Sequence, residues 1–267
     1  MRVAAFQFDV RRGEVAANLA AVEHGLREAA DRDVELVLLP EMWPTSFVSD
    51  ADDARWLMES EAAVARSAEL SRELGLVVAG SAFAAGAPGE RLRNRLSVFD
   101  GGELVLAYDK VHLFSPTAEN LGFSAGGVAP PTALVRGLRL SGVVCYDVRF
   151  SPLLRAPYED GAELLLVPAQ WPEARGTHWK ALLAGRAVEH QAFVLGANRT
   201  GEDTIGRRRL ELRFPGNSLV VSPHGKVLAE GAGEDGLVVG DLDLEAVRDL
   251  RRLVPVRADE RERIDRR

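Results

Sequence analysis

Residues 140–150 read LSGVVCYDVRF, an apolar run that changes abruptly into a polar segment at Cys145. Cys145 is the only cysteine among 267 residues. Taken alone, a lone cysteine behind an apolar strand is most often a small hydrophobic residue of the core. The alternative is a nucleophile, which a strand delivers to a polar turn. The two interpretations make different demands on the rest of the chain.

The composition is ordinary for a globular protein, with 46% hydrophobic and 27% charged residues. At this length such a chain can bury a sizeable core. The formal net charge of −7 argues against nucleic acid as the main partner. A single cysteine excludes an internal disulfide and fits a reducing compartment. The N-terminal apolar run is too short for a signal peptide, and no run approaches a membrane span, so we expect a cytoplasmic protein.

Apolar runs and amphipathic segments alternate through the first half of the chain. Residues 3–8 and 34–39 are apolar except for Gln7 and Glu35, and such runs predict strands covered on both faces. Residues 14–30 lie between them and have one apolar face at helical spacing. Hairpins are predicted later in the chain. Without a linker or a repeat, the pattern predicts one α/β domain over residues 1–267, with a mixed sheet, more than one sheet in layers, and a charged tail at 257–267.

Two familiar motifs occur in surroundings that do not support them. Residues 122–126, GFSAG, match a serine nucleophile elbow, but no strand precedes them and no helix follows. Residues 231–236, GAGEDG, match a dinucleotide fingerprint, but a strand follows where a helix is required. The five histidines are far apart and have no metal-ligand spacing. We therefore expect no metal and no cofactor.

Two other apolar runs also end in chemically active residues. Glu41 follows VELVLLP and Lys110 follows LVLAYD. Alone, Glu41 is explained as a turn cap and Lys110 as a solvated strand end. In α/β sheets, however, catalytic groups converge at the carboxyl ends of strands. Because a carboxylate, an ammonium and the thiol of Cys145 have complementary chemistry, the three together favour an active site.

With these residues identified, the chain resembles the nitrilase superfamily of carbon–nitrogen hydrolases, which use a Glu-Lys-Cys triad. The resemblance rests on LPEM at 39–42, YDKVHLF at 108–114 and CYDVRF at 145–150. It continues through PAQW, HW and RAVEHQ within 168–191 and ends near 216–225. The resemblance implies a four-layer αββα sandwich, in which two sheets pack face to face with helices outside. It also implies a homodimer or higher homo-oligomer, because family members pair through outer helices and C-terminal segments.

The resemblance assigns roles to the triad. An ordinary thiol has a pKa of about 8.5 and needs help at neutral pH. Glu41 is the expected general base, which takes the proton of Cys145 and returns it to the leaving ammonia. Lys110 and the backbone N–H of Tyr146 are the expected donors to the oxyanion, and Lys110 is expected to lower the pKa of the thiol. Glu119 matches a second family glutamate, which orients the lysine and the substrate amide; a solvated loop acid is the alternative.

The segment 168–179 resembles the omega-amidase-like branch, which hydrolyses the terminal amide of short dicarboxylic monoamides such as 2-oxoglutaramate. Such substrates carry a carboxylate at the far end, and a guanidinium recognises a carboxylate with two parallel hydrogen bonds. Arg175 is the first candidate for this contact and Arg199 the second. An ordinary ion pair is the alternative for each.

Three aromatic residues, Trp43, Phe114 and Trp171, are expected to wall a small substrate pocket. Trp43 departs from the phenylalanine that is usual in the family, which leaves the substrate less certain than the chemistry. The leading prediction is a thiol amidase that releases ammonia from a short ω-amide acid, its expected small-molecule partner. The alternatives are an N-carbamoyl amine hydrolase, a deaminated-glutathione amidase, a nitrilase, or a non-catalytic binding protein of the same fold.

Overall fold

The computed structural model describes residues 1–48, 54–205 and 209–260. Its strands are β1 (Arg2–Gln7), β2 (Leu36–Leu38), β3 (Val77–Ala84), β4 (Arg93–Asp100), β5 (Glu103–Asp109), β6 (Thr132–Val135), β7 (Leu138–Gly142), β8 (Leu164–Ala169), β9 (Phe193–Asn198), β10 (Thr200–Ile205), β11 (Leu210–Pro215), β12 (Leu219–Val221), β13 (Val227–Glu230) and β14 (Gly236–Asp241). Its α-helices are α1 (Val15–Asp31), α2 (Ala54–Leu74), α3 (Glu119–Gly122), α4 (Arg155–Glu159), α5 (Gly176–His190), α6 (Leu244–Leu253) and α7 (Val256–Asp259). Short 3-10 turns lie at Ser115–Thr117, Cys145–Arg149, Ser151–Leu154 and Glu173–Arg175.

Within these residues the strands form two six-stranded sheets and one separate hairpin. The first sheet has the order β14-β1-β2-β3-β4-β5, and the second has the order β13-β12-β9-β8-β7-β6. Strands β1, β2 and β3 are parallel to one another, as are β7, β8 and β9. Antiparallel strands extend each sheet on both sides of this parallel centre. Central parallel strands are buried on both faces, which explains why they appear as continuous apolar runs.

Alternate side chains of β1 enter two different cores. Val3 and Ala5 point into the core between the two sheets. Ala4 and Phe6 point to the other face, where α1 and α2 cover the first sheet. This division follows from the strand geometry, since successive side chains face opposite sides. With α5 packed on the outer face of the second sheet, the layers are helix, sheet, sheet and helix, and the expected αββα sandwich is confirmed.

Two glycines allow the outer helices to approach the sheets closely. A Cβ atom at Gly25 of α1 would lie 2.6 Å from the ring of Phe6. A Cβ atom at Gly196 of β9 would lie 2.5 Å from Leu183 of α5 and 2.7 Å from Trp179. Real Cβ atoms do not approach other atoms so closely, so both positions need glycine to keep the layers in contact.

Several elements differ from the sequence prediction. The apolar run that leads to Cys145 is a strand only as far as Gly142, and the run at 34–39 is a strand only at Leu36–Leu38. The hairpin β10–β11 was not predicted. Neither glycine motif lies in a strand–turn–helix unit. Residues 122–126 begin at the last residue of the short α3 and precede β6, and residues 231–236 lead into β14. The prediction of a charged tail falls largely on 261–267, outside the described residues.

Among the described residues, no helix combines the length and the apolar character needed to cross a membrane.

Candidate active site

Four strand ends bring the predicted residues to one edge of the sandwich. Glu41 follows β2 and Lys110 follows β5, and these two strands run in the same direction. Cys145 follows β7 of the second sheet, and Gln170 follows β8. The backbone N–H of Gln170 donates to Glu41 Oε2 at 3.0 Å. The carboxyl ends of the two sheets therefore meet at this point, as expected for a site built from strand ends.

Cys145 stands at a sharp turn of the backbone. A 3-10 turn begins at this residue, and its φ is +48°. A positive φ is uncommon for a residue with a side chain and costs on the order of 1–3 kcal/mol. The thiol is nearly buried, with 8% of the residue exposed, and it lines the inner wall of a cavity. The turn thus presents the sulfur atom to the cavity and away from the core.

A buried ion-pair cluster lies beside the thiol. Lys110 Nζ donates to Glu41 Oε1 at 2.8 Å and to the two oxygens of Glu119 at 2.9 and 2.8 Å. None of the three residues is more than 4% exposed. Separating a buried cation from its carboxylates is strongly unfavourable. The three side chains therefore form one preorganised unit.

Asn94 and Gln170 hold the two carboxylates in place. Asn94 Nδ2, on β4, donates to Glu41 Oε1 at 2.9 Å and to Glu119 Oε1 at 3.3 Å. Gln170 Nε2 donates to the Glu41 carbonyl at 2.9 Å, and the N–H of Phe114 donates to Glu119 Oε2 at 2.6 Å. Sequence reasoning left Asn94 outside the site and used Gln170 only as part of a motif. Their contacts restrict the rotamers of both acids.

Burial and neighbouring charges set the protonation states. Burial acts to lower the pKa of the Lys110 ammonium, but Glu119 and Glu41 outweigh it and hold that pKa above its ordinary value. Burial raises the pKa of the Cys145 thiol well above its ordinary value, Glu41 raises it further, and Lys110 opposes them. Burial also raises the pKa of Glu119 against the effect of Lys110. The expected lowering of the thiol pKa by Lys110 is therefore outweighed, and a raised pKa keeps the thiol protonated at neutral pH.

Asp147 connects the cysteine turn to the lysine segment. Its buried carboxylate accepts hydrogen bonds from the Tyr108 hydroxyl at 2.8 Å and from the His112 N–H at 2.7 Å, and it lies 2.9 Å from His112 Nδ1. Burial raises the pKa of Asp147, and the His112 N–H and the Tyr108 hydroxyl oppose this. Tyr108 and His112 flank Lys110, whereas Asp147 lies two residues after Cys145. The carboxylate thus fixes the relative position of two site segments, a role that the motif alone did not reveal.

A cavity opens over this cluster, with about 500 Å³ of space when the solvent at its mouth is included. Its polar inner wall contains the residues described above, and its outer wall is mainly aromatic and apolar. Ile205 and Leu212, from the hairpin β10–β11, close one side. The residues that line the cavity are Glu41, Phe47, Lys110, Phe114, Thr117, Glu119, Cys145, Tyr146, Arg149, Gln170, Trp171, Pro172, Arg175, Ile205 and Leu212. The structure therefore brings together the predicted Phe114, Tyr146, Trp171 and Arg175 with the triad.

Trp43 lies outside the cavity, and its expected role in the pocket wall is corrected. The residue is 2% exposed and belongs to the core beneath α1 and α2. A Cβ atom at Gly80 of β3 would lie 2.9 Å from its ring. The backbone turns at Met42, where φ is +49°, and the next side chain enters the helix-facing core. The positive φ at Met42 cannot be read from the sequence.

Arg199 also lies outside the cavity, and its expected contact with a substrate carboxylate is corrected. Its guanidinium is fully buried and pairs with Asp9 at 2.8 Å and with Asp203 at 3.2 Å. Because these two carboxylates already pair with the guanidinium, Arg199 has no charge left to pair with a substrate carboxylate. The ordinary ion pair, the alternative for this residue, describes it correctly.

Arg149 is a cavity residue that sequence reasoning missed. It lies four residues after Cys145 in the same 3-10 turn, and its Cζ is 4.8 Å from the centre of the Trp171 ring. The Cζ of Arg175 is 5.5 Å from the centre of the Phe114 ring. Within the described chain, neither guanidinium forms an ion pair with a carboxylate. The short separation of Arg149 from the cysteine was the available signal.

The cavity's acids do not form a metal site. Within residues 1–48, 54–205 and 209–260, no group of three or more His, Cys, Asp or Glu residues could hold a metal ion. The charge that balances Glu41 and Glu119 is the ammonium of Lys110.

Sequence comparisons relate the chain to hydrolases of carbon–nitrogen bonds. The family model for carbon-nitrogen hydrolase matches residues 2–252. The 2-oxoglutaramate amidase of Bacillus subtilis (strain 168) is 33% identical over 258 residues, which cover 95% of each chain. The omega-amidase YafV of Escherichia coli (strain K12) is 33% identical over 256 residues, which cover 91% of this chain and 90% of the relative.

A solved structure shows the same arrangement of the chain at similar identity. A glutamate-to-glutamine variant of the amidase from Nesterenkonia sp. AN1 matches with a TM-score of 0.83 and 30% identity. The match covers 97% of this chain and 99% of the amidase. In that structure acrylamide has added to the active-site cysteine in a Michael addition.

Proposed function

This chain belongs to the carbon-nitrogen hydrolase family, and we propose that it is an ω-amidase. It hydrolyses the terminal amide of a small acid through a cysteine thioester and releases ammonia. The observation that carries this proposal is the single cavity that combines the Cys145 thiol with the buried cluster of Glu41, Lys110 and Glu119. The names of the relatives supply the choice of an amide with a carboxylate at its far end, such as 2-oxoglutaramate.

In the first half of the reaction, Glu41 takes the proton of the Cys145 thiol while Sγ attacks the amide carbon. The thiol is neutral at rest, so attack without this base is slow. The carbonyl oxygen becomes an oxyanion, which accepts hydrogen bonds from Lys110 and from the backbone N–H of Tyr146. Glu41 then gives its proton to the departing nitrogen. The C–N bond breaks, ammonia leaves, and the acyl group remains as a thioester.

In the second half, water attacks the thioester carbon and Glu41 accepts the proton of the water. A second oxyanion forms in the same position and is stabilised by the same two donors. When the oxyanion collapses, the C–S bond breaks and Cys145 recovers a proton from Glu41. The acid leaves, and the site returns to its starting state. Acid–base groups held in this way typically contribute ~10²- to 10⁴-fold to the rate.

Glu119 completes the site as a positioning acid. Its two oxygens hold Lys110 Nζ at 2.9 and 2.8 Å, so the ammonium cannot move toward Glu41 alone. It also faces the cavity, where it can accept a hydrogen bond from the substrate amide N–H. The functional interpretation of this residue is supported by its burial, which a solvated loop acid lacks.

Two arginines are suited to the far carboxylate of the substrate. Arg175 and Arg149 line the cavity, each with an aromatic ring beneath it, at Phe114 and Trp171 respectively. Stacking on a ring orients a guanidinium and leaves N–H donors at its edge, although Arg149 Nη2 already lies 3.2 Å from His178 Nδ1. A carboxylate accepts two such donors in parallel. The geometry therefore supports Arg175 as first proposed and adds Arg149 beside it.

A substrate panel tests the proposal directly. Ammonia release is measured with succinamate, 2-oxoglutaramate, neutral butyramide, an N-carbamoyl amine and a nitrile. We expect the two ω-amide acids to have the highest kcat/KM and the Cys145→Ala variant to be inactive. Rapid quenching followed by intact-mass measurement should detect the acyl group on the only cysteine. Turnover of the carbamoyl substrate without turnover of the ω-amide acids would replace this proposal.

We propose in addition that the protein is a cytoplasmic homodimer. The support is an apolar surface near the C-terminus, formed by three residues that are 41% to 80% exposed: Leu253 at the end of α6, Val254 after it and Val256 at the start of α7. Exposed apolar side chains that cluster in this way mark contact surfaces. A single free thiol also suits a reducing compartment.

A further inference from the structure

A buried arginine lies behind the site, outside the substrate cavity. Arg199 Nη2 donates to Asp9 Oδ1 at 2.8 Å and Nη1 donates to Asp203 Oδ2 at 3.2 Å. Its Cζ lies 4.7 Å from the centre of the Phe214 ring. Burial lowers the pKa of Arg199 and the two carboxylates oppose this. Because a buried ion pair is weak evidence for stability, the cluster needs a second explanation.

The guanidinium reaches one residue of the site. Arg199 Nη1 lies 3.4 Å from Gln170 Oε1 and 3.2 Å from Ser46 Oγ, and Ser46 Oγ lies 3.3 Å from the same amide oxygen. An arginine can only donate hydrogen bonds. The Gln170 side-chain amide must therefore point its oxygen toward Arg199. Its NH₂ group then points toward Glu41.

The orientation of Gln170 in turn determines the position of Glu41. The NH₂ group donates to the Glu41 carbonyl at 2.9 Å, and the backbone N–H of Gln170 donates to Glu41 Oε2 at 3.0 Å. The side chain of Gln170 is almost fully enclosed, so water cannot readily replace these bonds. One amide thus connects the buried arginine to the backbone and the carboxylate of the proposed base.

We propose that Arg199 is a positioning residue for Glu41, which it holds through Gln170 in the orientation needed to accept the proton of Cys145. This inference rests on the proposed function, in which Glu41 is the general base. It gives the buried cation a role in the reaction without contact with the substrate. A misplacement of about 1 Å in a catalytic group can reduce a rate about 100-fold.

Three variants separate positioning from stability. Arg199→Lys keeps a positive charge beside Asp203 but lacks the planar fork. Arg199→Met combined with Asp203→Asn removes the arginine together with the buried carboxylate beside it, while the Asp9 side chain, which is 43% exposed, stays in contact with solvent. Ser46→Ala removes a hydroxyl that lies 3.3 Å from the Gln170 oxygen and 2.8 Å from Asp203 Oδ2, and it leaves both carboxylate partners of Arg199 in place. Because this last change is small, it remains informative if the arginine variants do not fold.

Steady-state kinetics with succinamate and the Tm of each variant are measured together. We expect kcat to fall about 10- to 100-fold in the two arginine variants, with KM changed less than about threefold, because the base is displaced while substrate contacts remain. Ser46→Ala should show the same pattern with a smaller loss. In Arg199→Lys, kcat should remain low even if the Tm of this variant is close to that of the wild type.

Leu26→Ala is the matched control, since Leu26 is a fully buried residue of α1 that belongs to the helix-facing core and does not line the cavity. It should lower the Tm and leave kcat unchanged. If kcat in the Arg199 and Ser46 variants stays at the wild-type value while the Tm falls, as in this control, Arg199 has only a structural role and the inference is wrong.

Alkylation by iodoacetamide at fixed pH provides a readout that needs no amide substrate. In this reaction the S–C bond forms, iodide leaves and Glu41 takes the thiol proton. We expect the Arg199 variants to alkylate more slowly than wild type. If no ω-amide acid is hydrolysed but alkylation is slowed, the substrate proposal fails and the positioning role stands. Wild-type alkylation rates in all three variants would overturn the positioning role itself.

Discussion

The neutral thiol of Cys145 sets the order of events in the proposed reaction. Burial and the nearby Glu41 carboxylate both favour the protonated sulfur, and the single ammonium of Lys110 does not compensate for them. A preformed thiolate is therefore not the resting nucleophile. Proton transfer to Glu41 must accompany attack, so the position of that carboxylate matters as much as its presence.

Titration of the thiol tests this charge balance. A raised pKa means that the thiolate appears at higher pH than in an unfolded or free cysteine, and Glu41→Gln removes a negative charge and should move the transition to lower pH. Thiolate absorbance near 240 nm is measured between pH 6 and about 9.5, with Cys145→Ala as the baseline. We expect no thiolate signal near pH 7 in wild type. A full signal at that pH would show that Lys110 outweighs burial.

At the residue scale, the sequence identified the reactive groups of the site but did not identify correctly the residues that line the substrate pocket. Glu41, Lys110 and Cys145 could be named because each ends an apolar run, and strand ends converge. Trp43 and Arg199 were placed in the pocket by chemical type alone. Whether a tryptophan or an arginine faces a cavity depends on local backbone turns and on long-range partners such as Asp9, which one sequence does not display.

At the element scale, the 3-10 turn after β7 and the end of β5 act as one unit. The Asp147 carboxylate joins them through Tyr108 and His112. These bonds cross 35 to 39 residues of sequence, so they hold a turn that strand geometry alone does not define. The strained φ of Cys145 is maintained by such contacts.

Tyr108→Phe tests this connection. The change removes one donor to a buried carboxylate, and hydrogen bonds to charged groups contribute about 1.5–3 kcal/mol. We expect a loss of that size in the free energy of urea unfolding, together with a lower kcat. Tyr158→Phe is the control, because the buried Tyr158 hydroxyl has no hydrogen-bond partner in the described structure. Equal losses in both variants would show that the bond to Asp147 has no special role.

The hairpin β10–β11 shows what element-level prediction lacked. Its strands are short and rich in charged residues, and they form a two-stranded sheet with a single bridge, from Thr200 to Asp9, outside it among the described residues. Such strands have weak apolar alternation and resemble a loop. Yet Ile205 and Leu212 from this hairpin face the cavity. Elements that are not part of the core leave little hydrophobic signal even when they shape the site.

At the scale of the whole molecule, the sandwich was expected from family motifs, whereas the strand pattern predicted only layered α/β structure. Parallel centres in both sheets follow from the apolar runs. The assignment of strands to two sheets does not, because β14 joins β1 and β12 joins β9 across long stretches of chain. Pairing at that sequence distance is decided by packing, for which periodicity carries no information.

The proposed homodimer belongs to this scale. Light scattering after size exclusion should give twice the chain mass of 29.0 kDa. Leu253→Asp places a charge in the exposed apolar surface near the C-terminus and should shift the protein toward the monomer. Leu104→Asp, at an exposed position of β5 on the first sheet, should leave the mass unchanged. A monomeric wild type at micromolar concentration would contradict the proposal.

Because the two sheets meet at the site, catalytic activity also reports whether the sheets are correctly packed against each other. Glu41 and Lys110 follow strands of the first sheet, whereas Cys145 and Gln170 follow strands of the second. Neither sheet alone holds both the base and the nucleophile. During synthesis or refolding, the Cys145 thiol therefore has no general base beside it until the two sheets have packed against each other. In mild denaturant, a small shift of one sheet relative to the other should abolish turnover. The circular dichroism of the helices and strands should still be native under the same conditions.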